Sequence, residues 1–155
     1  MSNHDLTNKT ALELGRMIRE GAITSPDCVS ALFASVQKTE SNCYISLFEE
    51  EAMEAARAIQ IRIDSGENLS PLAGVPVALD DNICTEGRRT TGGSKMLENY
   101  IPTYSATVVK KLEEAGMIVV GKLNIDEFSM GTATETSFFE PTKQDRYPTP
   151  SSSHA

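Results

Sequence analysis

Apolar residues recur at helical spacing from Thr10 to Glu20, through Ala11, Leu12, Leu14, Met17 and Ile18. Thr10 followed three residues later by Glu13 fits a capping box, and Gly21 fits the stop. Ser25-Pro26 opens a second helix, with Ser25 expected as its N-cap and an apolar face of Val29, Leu32, Phe33 and Val36. Tyr44 to Phe48 reads as a short strand. A third helix is expected from about Glu50 to Asp64, ending near Gly66; Met53, Ala56 and Ile59 carry its face, while Ile61 and Ile63 blur the period.

After a connector from Glu67 to Ala73, Val75 to Leu79 predicts a strand, and Pro76 suits its start or an edge. Asp80-Asp81-Asn82 reads as the polar turn that ends it. Thr85 to Ser94 is a loop rich in Gly, Thr and Arg. Ser105 is expected to cap a helix from Ala106 to Ala115, with Val108, Val109 and Leu112 on one face and Gly116 at its end. The wholly apolar run Met117 to Val120 then predicts a strand buried on both faces, as in a parallel sheet. Helices leading into alternating strands and helices point to an α/β fold. Past Pro141 the pattern dissolves, and residues 146–155, with Pro148, Pro150 and Ser151 to Ser153, are expected to form a disordered tail.

Charge and composition narrow the function. The 155 residues are 39% hydrophobic, enough for a core of ordinary size. They carry 14 basic and 22 acidic side chains, and neither the part before Pro71 nor the part after it is basic. Gripping a phosphate backbone needs a Lys/Arg patch, so direct nucleic-acid binding is disfavoured. No apolar run approaches the roughly 20 residues that cross a bilayer, and the polar N-terminus has no secretory pattern. Cys28, Cys43 and Cys84 are widely spaced, and His4 and His154 sit at the ends. No metal site, disulfide framework or Ser-His-Asp set is expected, and the reading is a reduced, cytoplasmic protein.

The densest chemistry lies between Pro71 and Thr142, in two segments that follow strands, where open α/β sheets place their ligand crevices. Each motif also has a plain alternative. Asp80-Asp81-Asn82 reads also as a solvated turn at the strand end, and Asp126-Glu127 as the acidic start of a helix. Arg88-Arg89 is an anion clamp or a solvated pair, and Gly92-Gly93 allows close ligand approach or simply a loop. Cys84 reads as a small buried residue.

Taken in order, Pro71 to Cys84, Gly87 to Tyr100, Ser105 to Gly116 and Val120 to Glu135 resemble the amidase signature family, and within it the A-subunit branch of tRNA-dependent amidotransferases. The resemblance covers about residues 5–145. It implies N-terminal helices followed by part of an α/β/α sandwich with a mixed sheet, residues 1–145 being the N-terminal portion of such a domain. The family hydrolyses amides with a Ser–Ser–Lys triad, in which a strand-end lysine works through a bridging serine on a nucleophilic serine.

Here the match breaks at the chemistry. Asp80 stands where the resemblance puts the lysine, and a carboxylate, with an ordinary pKa of roughly 4, is a weak base at neutral pH. Ser152 is the nearest counterpart of the bridging serine, but Pro150 and its neighbours replace the family's glycines, and the nucleophile would fall beyond residue 155. Met130, Gly131 and Thr132 match the substrate-side loop, whereas Thr136 and Glu140 replace Asn and Gly.

In that branch the A subunit releases ammonia from glutamine without a cofactor. A B subunit then uses ATP and Mg to amidate the misacylated tRNA, and a small C subunit clamps the assembly. The resemblance therefore implies an amidotransferase-like chain without activity of its own. The alternatives are a non-catalytic protein that binds the B and C subunits, or part of another amidase. Open sheet edges and uncovered apolar faces are expected in a chain of this length, and with them self-association or a partner.

Overall fold

The computed structural model describes residues 6–143. The tail expected over residues 146–155, and Ser152 with it, lies outside them.

Helix α1, Ala11–Arg19, has the expected capping box: Thr10 accepts from the Glu13 backbone, and the Glu13 carboxylate accepts from the Thr10 N–H at 2.7 Å. Helix α2, Ser25–Val36, corrects one expectation. Its N-cap is Thr24, paired with Asp27 in a second capping box, and Ser25 is the first helical residue. Ser25 is free for a longer-range task, and its buried hydroxyl donates to the Gly74 carbonyl at 2.8 Å. Helix α3, Glu49–Asp64, has no side-chain cap, but Glu49, Glu50 and Glu51 set three carboxylates against the positive end of its dipole. Helix α4, Thr107–Glu114, begins after Ala106 rather than under a Ser105 cap; the Ser105 hydroxyl instead accepts from the Glu86 N–H.

Strands β1 (Tyr44–Leu47), β2 (Pro76–Asp80) and β3 (Ile118–Leu123) form a sheet in the order β1-β3-β2. The apolar run places β3 in the centre, as its pattern predicts, and the strand continues three residues past Val120. It pairs parallel to β2 and antiparallel to β1, so the sheet is mixed. Alternate β3 side chains face opposite layers. Ile118 and Val120 join Val29 and Phe33 of α2 and Ala52, Ala56 and Ile59 of α3, whereas Val119 packs with Leu79 and with Val109 of α4. A third cluster, Ile18, Ile23, Cys28, Val75 and Met117, fixes α1 and the start of α2. Helices thus cover both faces of the sheet. Among the described residues β1 and β2 are its edges.

Candidate functional site

Asp80 is the last residue of β2, not part of the turn after it, and its side chain is exposed. It lines two adjoining clefts at the ends of β2 and β3. One, about 320 Å³, also takes in Cys43, Leu123, Asn124, Thr132 and Thr142. The other, about 200 Å³, is bounded by Asn124, Asp126, Ser129, Gly131, Thr132 and Thr134. The structure therefore brings together three residues marked by the sequence motifs, Asp80, Gly131 and Thr132. Met130 is left outside these linings, 81% exposed. Hydroxyls, a carboxamide and two carboxylates suit the clefts to hydrogen-bonding ligands, but among the described residues no ammonium lines them.

The turn after Asp80 is fixed from beneath. Asp81 is fully buried, which corrects the solvated-turn alternative at that residue. Its Oδ2 accepts from the Thr91 backbone N–H at 2.8 Å and from the Thr91 hydroxyl, and its carbonyl accepts from Gly92 at 3.1 Å. Asn82 reaches across to donate to the Ser129 hydroxyl at 2.7 Å. Below lies Lys122, fully buried, whose Nζ donates to the carbonyls of Asp80 and Ile83. Burial pulls the Lys122 ammonium below the usual lysine range, and the negative charge of Asp81 opposes that pull.

The loop on the other side of the clefts is built around Asp126. The expected helix at Asp126-Glu127 is only a three-residue 3-10 turn, Glu127–Ser129, with Phe128 and Ser129 both at positive φ. The Asp126 carboxylate, 5% exposed, accepts four hydrogen bonds from Ala133, Thr134 and Thr136. Those bonds hold its pKa below the ordinary aspartate value, led by the Thr136 N–H. Asn124 completes the wall: its Nδ2 donates to the carbonyls of Asn42 and Glu140, and its Oδ1 accepts from the Ser137 hydroxyl at 2.6 Å.

Other candidates are occupied elsewhere. Arg88 pairs with Glu51 at 2.8 Å and stacks 4.9 Å above Phe48. Arg89 donates to the Ile45 carbonyl at 3.0 Å. They brace the loop against β1 and α3, which replaces both the anion clamp and the solvated pair. Gly93 makes a close approach to the backbone of Ile125. Cys84 is half-buried beside Tyr104, and burial pushes the Cys28 thiol up to about 11. Lys122, Asn124 and Asp126 lie inside the family-resembling run Val120 to Glu135, but the sequence assigns them no role, because each works mainly on backbone groups that no spacing rule reveals.

The amidase family model matches residues 27–153. The glutamyl-tRNA(Gln) amidotransferase A subunit of Lachnoclostridium phytofermentans is 48% identical over 142 residues, which cover 90% of this chain and 29% of that protein. The protein of the same description from Agathobacter rectalis is 50% identical over 141 residues, covering 90% and 28%. The chain thus spans under a third of the length of the curated relatives it matches. Among solved structures, a chain of a vestigial protein complex bearing on the origins of an s-triazine catabolic enzyme superposes with a TM-score of 0.84 at 31% identity, over 90% of this chain and 31% of its own. A bacterial aryl acylamidase of the amidase signature family gives 0.80 at 25% identity, over 87% and 29%. With the family match running through both cleft-lining segments, the chain belongs to the amidase signature family.

Proposed function

We propose that this chain carries the N-terminal part of an A-subunit-like domain of a glutamine-dependent tRNA amidotransferase and does not by itself release ammonia from glutamine. The observation that carries this reading is the carboxylate of Asp80, set at the strand end and open to the cleft where the resemblance puts a lysine. A carboxylate there reverses the charge of the site and is a poor general base at neutral pH. No cofactor takes part at this step; ATP and Mg belong to the B subunit of such a complex. The chain's role is then association, in the cytoplasm, with amidotransferase B and C subunits. Met96, Ile101 and Tyr104, each more than half exposed, favour this binding role.

The experiment combines light scattering after size-exclusion chromatography with an ammonia-release assay. The purified chain is run alone and with the B and C subunits, with glutamine as substrate. A defined complex and no ammonia from the chain alone is the expected result. Ammonia release by the chain alone sinks the inactive reading, and a chain that ignores both subunits sinks the association.

A further inference from the structure

Asp126 lies three residues past the end of β3, and residues 130–136 have no strand or helix to order them. One carboxylate gathers three of the loop's backbone N–H groups. Oδ2 accepts from the backbone N–H groups of Ala133 at 3.0 Å and Thr134 at 2.9 Å, and Oδ1 from the Thr136 N–H at 3.1 Å and hydroxyl at 2.8 Å. The Thr136 hydroxyl oxygen in turn accepts from the Glu127 N–H at 3.1 Å, closing the ring on itself. The wrap is tight at Gly131: a Cβ there would lie 2.4 Å from the Asp126 Cγ and 2.5 Å from Oδ2. Gly131, Thr132 and Thr134, the residues so placed, form the side of the cleft that faces Asp80.

We infer that Asp126 is a positioning residue of the cleft: its carboxylate shapes residues 130–136 into the ligand-facing wall, and Gly131 is the residue whose lack of a side chain lets that wall close. The role deepens the amidotransferase-like reading, since this is the substrate-side loop of that reading. The clasp itself is measured without ligand, so its failure and the failure of that reading are distinct results.

An amide in place of the carboxylate keeps the shape but loses half the acceptors. Asn presents one oxygen and one NH2, so either the Ala133–Thr134 pair or the Thr136 pair faces a donor with a donor. Amide hydrogen exchange by NMR tests this on the whole chain. Asp126→Asn is expected to speed exchange at Ala133, Thr134 and Thr136 at least tenfold, with Val119 and Val120 of β3 unchanged as a control on folding. Gly131→Ala is expected to do the same by displacing the carboxylate, and the double variant to add nothing further. Unchanged loop exchange in Asp126→Asn, or additive effects in the double variant, overturns the inference.

A pH titration of the same amide shifts separates the charge from mere packing. The clasp is complete above the ordinary aspartate pKa, where the folded carboxylate is ionised, and is lost as pH falls through its lowered folded value. The other carboxylates in or near the loop are Glu135 within it, Glu140 just beyond it, Asp80 across the cleft, and Glu127, which accepts from the Ser94 hydroxyl. In the wild type the three amides shift together in acid; in Asp126→Asn that step disappears. Persistence of the step in the variant also overturns the inference.

Discussion

Lys122 has a charge that the surface never meets. It is fully buried, its Nζ donates to the Asp80 and Ile83 carbonyls, and Asp81 beside it is fully buried too. Removing one member of such a set strands the others: two carbonyls lose a donor and a buried carboxylate loses a cation that offsets its charge. Lys122→Met keeps the length of the chain while removing the charge, and is expected to cost about 3 kcal/mol by urea unfolding. A loss under roughly 0.5 kcal/mol, the scale of a neutral surface change, would show that the ammonium holds nothing. Asp80 and the Met130–Thr132 loop are legible in sequence because a motif places them. Lys122 and Asp126 lie in the same motif segment, yet their roles are not legible there, because their partners are mainly peptide groups, and every residue has those.

The elements follow their local signals closely, with telling exceptions at the caps. Thr24 rather than Ser25 caps α2 because Asp27, three residues after Thr24, completes the reciprocal box. Proline at position 26 looks like the start of a helix from either residue, so the pattern alone leaves a one-residue ambiguity. The pairing of β1 with β3 is different in kind. Nothing in the short run from Tyr44 to Leu47 names its partner; a glycine on the facing strand does. A Cβ on Gly121 would lie 2.5 Å from the Ser46 carbonyl oxygen and 3.1 Å from the Tyr44 ring, at a point where the register slips between Tyr44 and Ser46. Gly121→Ala must push β1 outward, and overpacking of this kind costs about 1–3 kcal/mol. Denaturant unfolding measures the loss, and amide exchange should rise at Ser46 and Leu47 while β2 stays protected. Equal loosening of β2 would mean that the whole sheet, rather than one edge, depends on the close approach.

As a whole, the molecule has the helices and central strand of an α/β/α sandwich, but the described sheet stops at three strands. The mixed layering is legible from element order and from the apolar run of β3; the cleft needs three dimensions, because its walls come from residues 43, 80, 123–126, 129, 131–134 and 142. Large apolar side chains stay outside the core in the segments after β2, where Met96 is 82%, Ile101 56% and Tyr104 56% exposed. Their exposure makes them weak contributors to the fold of the chain alone and strong candidates for contact with another surface. Stability and association should therefore separate. Replacing Met96 and Ile101 together with serine is expected to change unfolding free energy by no more than about 0.5 kcal/mol per site, as for exposed positions generally. If these side chains anchor the B and C subunits, the same change should weaken binding by about tenfold or more, since losing two buried apolar anchors costs on the order of 1 kcal/mol each. Titration calorimetry against the subunits, beside a thermal melt of the free chain, reads both quantities. Unchanged affinity with an unchanged melt would place the contact surface elsewhere. A lowered melt would mean that these residues pack against the chain itself, and their exposure would no longer argue for a partner.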